Sequence, residues 1–119
     1  MPTVSVDGVD IYYEIHGQGR PLLFFSETAC DGEIWKLFQV REFSRDHSVI
    51  LHDYRDTGRS AKPSIDYTTK MFCDDAAAIL QQLDVRDAIV LGHSMGGRVA
   101  QLLALEYPER VSKLILASS

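Results

Sequence analysis

The stretch Ile89-Val90-Leu91-Gly92-His93-Ser94-Met95-Gly96-Gly97 decides the fold. Its first three residues continue an apolar, β-branched run that begins at Ala88, the composition of a strand covered on both faces. From Met95 to Tyr107 the chain is apolar over most of its girth, and Pro108 stops it. That predicts a deep-lying helix over residues 95–107. No loop separates strand from helix, so the turn at Ser94 must be sharp and its backbone strained. Gly92 and Gly96, two residues to either side, relieve the crowding of such a corner. A serine placed there is lifted into the open at the carboxyl end of the sheet. The helix start beside it adds N–H groups without helical acceptors and the positive end of a dipole. Gly-x-Ser-x-Gly by itself arises by chance in about 4% of chains this long; its seat between strand and helix makes it specific.

Outward from this corner, strands and helices alternate. Residues 111–117 read as a further buried strand, as do residues 21–25 and 48–51. Thr68 is placed to cap a helix over residues 69–83, with Phe72, Ala76, Ile79, Leu80 and Leu83 along one side. The acidic pair Asp74-Asp75 reads as a solvent-facing part of that helix. A weaker helical stripe runs over residues 34–43. Near the N-terminus, residues 4–6 and 9–15 flank Asp7-Gly8, a dipeptide suited to a tight hairpin turn. The pattern predicts an α/β fold: a mostly parallel, doubly wound sheet with helices on both faces and the first hairpin antiparallel at one edge.

The 119 residues carry 17 acidic and 12 basic side chains, a formal net charge of −5. That acidic balance argues against a nucleic-acid partner, whose binder would need a basic face to neutralise phosphates. No run approaches the ~18 apolar residues of a membrane span, and the first residues do not read as a secretory signal. Cys30 and Cys73 stand far apart with no metal-ligand spacing, so reduced thiols and a cytoplasmic location are expected, without metal.

These residues resemble the α/β-hydrolase family, and the resemblance spans the chain. It rests on the elbow from Gly92 to Gly97, the loop Asp53-Tyr54-Arg55-Asp56-Thr57-Gly58-Arg59-Ser60, the stretch Val9-Asp10-Ile11-Tyr12-Tyr13-Glu14 and the tail Tyr107-Pro108-Glu109-Arg110-Val111. The chain looks most like the serine esterase, lactonase and haloperoxidase-like branch. The resemblance implies the strand order 1-2-4-3-5-6, Ser94 as nucleophile and the Met95 amide as one oxyanion donor. A second donor is expected from the Thr28 amide. It further implies small ester, lactone or related carbonyl substrates and no cofactor. Trp35 reads as core, with a place lining an acyl pocket as the functional alternative. Arg55, Arg59 and Ser60 read as turn and salt-bridge residues.

Two departures qualify the match. Ser26-Glu27 stands where the family places His-Gly, and a carboxylate at Glu27 would oppose a developing negative charge unless it points away or is paired. Asp56 replaces a glycine, a milder change. The family order also places the acid and the histidine far past the elbow, yet none of the 25 residues after Ser94 is a histidine. His93 should project away from the Ser94 hydroxyl; His16 and His47 fall on the wrong edge or end. His52 ends a strand on the right side of the sheet, but packing beneath the loop is the plainer reading. Residues 1–119 are therefore expected to be the N-terminal part of a single hydrolase domain, with base and acid supplied by the missing C-terminal half. Alone, such a chain should be insoluble, swapped or complemented. A non-catalytic small-molecule-binding protein or degenerate hydrolase is the alternative.

Overall fold

The computed structural model describes residues 2–6, 8–26, 35, 39–54 and 68–117. In chain order the elements are β1 (Thr3–Val6), β2 (Val9–His16), β3 (Arg20–Phe25), α1 (Gln39–Phe43), β4 (His47–His52), α2 (Thr69–Gln82), β5 (Ala88–His93), α3 (Met95–Glu106) and β6 (Val111–Ala117), with a short 3-10 turn at Pro108–Arg110. The six strands form one sheet in the order β1-β2-β4-β3-β5-β6. β1 and β2 pair antiparallel, as do β2 and β4, while β4, β3, β5 and β6 run parallel. The fold is the α/β-hydrolase type expected from the resemblance.

The continuous apolar runs of β3 and β4 follow from burial on both faces. On one face Leu23, Phe25, Ile50 and Val90 pack beneath Ala76, Ile79 and Leu80 of α2 and Val99, Ala100 and Leu103 of α3. On the other face Leu22, Phe24, Val49 and Leu51 pack with Trp35 and Val40. Alternation along each strand assigns successive residues to opposite layers. Each layer is apolar, which ties the parallel strands at the centre of the core. Thr68 caps α2 as its sequence position suggests: its backbone is extended and its hydroxyl accepts from the Met71 N–H at 3.2 Å.

Several expectations change once the elements are packed. Residues 111–117 form a strand, yet not a buried one: Leu114, Ile115 and Leu116 are each more than a third exposed. β6 lies at the end of the sheet, with β5 as its neighbour among the described residues, so its faces are only partly covered. α3 buries one stripe through Gly96, Val99, Ala100 and Leu103 rather than its whole girth, and Leu105 is 78% exposed. A helix lying on a sheet presents one face to it whatever its composition. Asp75 does not face solvent but is buried, because it sits four residues before Ile79 on the packed side of α2. Asp74 does lie outward, paired with the Lys70 ammonium at 2.9 Å and accepting from the Tyr107 hydroxyl at 2.8 Å. The described part of the 34–43 helix begins only at Gln39.

Cys73 is fully buried, and burial pushes its thiol up to about 11, so it stays protonated and unreactive at neutral pH. Cys30 lies outside the described residues. Among the described residues no helix is long and apolar enough to cross a membrane.

Candidate active site

β5 runs to His93, and α3 begins at Met95, leaving Ser94 alone in the corner. Its backbone has φ 56° and ψ −120°, a conformation costly for a residue with a side chain, about 1–3 kcal/mol. Two backbone hydrogen bonds hold it there. The Ser94 N–H donates to the Ala117 carbonyl at the end of β6 (3.1 Å), and its carbonyl accepts from the Gly97 N–H (2.9 Å). Ser94 as a whole residue is partly buried, neither sealed in the core nor fully exposed. Met95 and Gly96 occupy the first turn of α3, where N–H groups have no acceptor within the helix.

The glycines of the motif are explained by contact, because the corner leaves no space for side chains. A Cβ on Gly92 would come within 2.6 Å of the Gly97 Cα. One on Gly96 would lie 2.5 Å from the Ser26 carbonyl oxygen and 2.7 Å from the Phe25 carbonyl carbon. α3 therefore starts directly against the backbone where β3 ends. That brings the first turn of α3 beside Ser26, at the end of the sheet to which all four parallel strands point their carboxyl ends.

Ser26, the first residue past β3, is buried and held twice. Its hydroxyl accepts from the Trp35 indole N–H at 2.8 Å, and its carbonyl accepts from the Tyr54 hydroxyl at 2.8 Å. Trp35 is buried, stacks on Phe24 with centroids 4.7 Å apart, and meets the His93 ring edge-on at 6.4 Å. His93 thus turns to the Trp35 layer and is engaged there. Sequence reasoning singled out Trp35 and Ser26 but missed their bond. It missed Tyr54 as a partner altogether, since the two residues joined lie 28 positions apart.

His52 ends β4 and is buried. It sits edge-on between Phe25 (5.1 Å) and Tyr54 (5.2 Å), and neither ring nitrogen has a hydrogen-bond partner among the described residues. Burial lowers its pKa to about 4, so it is neutral at pH 7. It is packed between these two rings; the loop beneath which it is expected to lie falls outside the described residues. His47 is bonded to Asp46 (2.6 Å) at the start of β4, and His16 pairs in register with Val49, both at the opposite end of the strands from Ser94. Thr28 and Glu27 lie outside the described residues, as do Arg55, Asp56, Arg59 and Ser60. Among the described residues no group of three or more His, Cys, Asp or Glu side chains is arranged to hold a metal ion.

Comparison with known proteins agrees with this geometry. Residues 28–119 match the family described as alpha/beta hydrolase fold. A non-heme haloperoxidase of Rhodococcus erythropolis is 36% identical over 118 residues, covering 98% of this chain and 43% of that protein. Est816, an N-acyl homoserine lactone degrading enzyme, is 39% identical with a TM-score of 0.92, covering 97% of this chain and 44% of its own. The esterase EaEST of Exiguobacterium antarcticum is 32% identical with a TM-score of 0.88, covering 95% and 42%. The chain spans less than half the length of these relatives. With its elbow, sheet order and family match in agreement, the chain belongs to the alpha/beta hydrolase fold family.

Proposed function

We propose that this chain carries the nucleophile of a serine hydrolase acting on a small ester, lactone or related carbonyl substrate. The observation that supports it most is the Ser94 backbone: a positive φ at a strand-to-helix corner, retained against its conformational cost. In this reading the Ser94 Oγ attacks the substrate carbonyl carbon while its proton passes to a base. The carbonyl oxygen becomes an oxyanion facing the Met95 amide and, by the family likeness, the Thr28 amide. Collapse expels the alcohol oxygen, which takes that proton, and leaves an acyl ester on Ser94. Water then hydrolyses the ester by the same proton route.

The base and its acid partner are assigned to the remainder of the hydrolase domain, residues 1–119 being its N-terminal part. The coverage of less than half of each relative supports this, as does the placement of the described histidines. His52 is buried and His93 faces Trp35. That placement also favours the second reading, a non-catalytic small-molecule-binding member of the family.

Fluorophosphonate labelling of the complete polypeptide, with the modified residue mapped by peptide mass, separates the two. The expected result is one adduct, on Ser94, abolished in Ser94→Ala together with hydrolysis of p-nitrophenyl acetate. A serine that stays unmodified, or hydrolysis that survives Ser94→Ala, would establish the binding-protein reading or another nucleophile.

A further inference from the structure

We propose that Tyr54, Ser26 and Trp35 form a positioning strut that sets the oxyanion side of this site; the inference rests on the serine-hydrolase reading above. Ser26 is the last described residue before the segment bearing Thr28, and its position is over-determined. The Tyr54 hydroxyl holds its carbonyl (2.8 Å) and the Trp35 indole N–H holds its hydroxyl (2.8 Å). All three side chains are buried, where a hydrogen bond is not exchanged for water and its loss leaves a polar atom stranded. Holding the Ser26 carbonyl also fixes the backbone surface against which Gly96 packs.

The strut joins both halves of the site. At one end Gly96, in the turn that presents the Met95 amide, lies against the Phe25 and Ser26 carbonyls with no room for a Cβ. At the other, Trp35 stacks on Phe24 and meets His93, the residue before Ser94. A shift of Ser26 would therefore displace the first turn of α3, and with it the Met95 amide, without touching substrate. The strut residues are positioning residues. Their loss should affect the transition state, where charge reaches the oxygen, more than ground-state binding.

The test uses the complete polypeptide and two variants that each delete one oxygen, Tyr54→Phe and Ser26→Ala. Tyr54→Phe keeps the ring that packs on Phe25 and Phe72; Ser26→Ala keeps the carbonyl that Tyr54 holds. In each, kcat for p-nitrophenyl acetate should fall about 10-fold with KM within twofold. The affinity for an aryl boronic acid, a tetrahedral mimic, should fall in parallel with kcat/KM. A merely structural loss would lower the active fraction but leave the boronate affinity of the remaining enzyme unchanged, and that result overturns the strut. Unaltered kcat in a variant with parental Ser94 labelling overturns it as well, while sparing the serine reading. A parent that fluorophosphonate leaves unmodified at Ser94 overturns both.

Discussion

Replacing Gly96 with alanine is expected to destabilise the protein by about 2–4 kcal/mol, although alanine is the better helix former by about 1 kcal/mol. The added methyl would sit 2.5 Å from the Ser26 carbonyl oxygen and 2.7 Å from the Phe25 carbonyl carbon. Both are backbone atoms at the end of a central strand and just past it, so no rotamer change can clear the overlap. Either α3 lifts from the sheet or the end of β3 moves, and both loosen the layer formed by Val99, Ala100, Leu103 and Leu23. Packing must therefore outweigh propensity at this position. Urea unfolding of parent and variant under identical conditions measures the difference. A change within about 0.5 kcal/mol would show that the contact relaxes freely, and the explanation of the glycine would fail.

The second large effect is acid sensitivity centred on His52. Its imidazole titrates near 4 in the folded protein and near the ordinary 6.5 when unfolded, burial being the cause. Between those values the unfolded chain binds a proton that the folded protein does not. Stability therefore falls as pH drops from about 6.5 towards 4, by about 2 kcal/mol at pH 5 and about 3 kcal/mol in all. Above 6.5 the ring is neutral in both states and contributes no pH dependence. His52→Leu removes the titration and the two ring nitrogens that lack partners among the described residues. The variant should be at least as stable as the parent at pH 7 and lose about 2 kcal/mol less than it between pH 7 and pH 5. Unfolding free energies at the two pH values decide it: identical losses in parent and variant would mean that His52 meets water or a partner.

Much of the fold was legible in residue order because its signals are local. Asp7-Gly8 between two alternating segments marked the first hairpin, and β1 and β2 follow it. Thr68 ahead of an apolar stripe marked the start of α2 to the residue. The Ser94 corner was legible for the same reason: strand, serine and helix are contiguous, and the backbone angle follows from the absence of a loop. Local pattern misjudged Asp75, because the charge was read ahead of its place four residues from Ile79. The apolar run at Leu114, Ile115 and Leu116 states a preference for burial but cannot supply the neighbour, and all three are partly exposed at the end of the sheet.

By itself, then, residue order determined the alternation of strands and helices, the strained serine corner and the family. These depend on periodicity, caps and turns within a few residues of one another. Only the tertiary structure decided which side chains meet Ser26, why Gly96 admits no methyl, and that His52 is sealed between two rings. Each of these joins residues far apart along the chain, brought together by the parallel crossovers, where close packing and exclusion of water, rather than local preference, set the outcome.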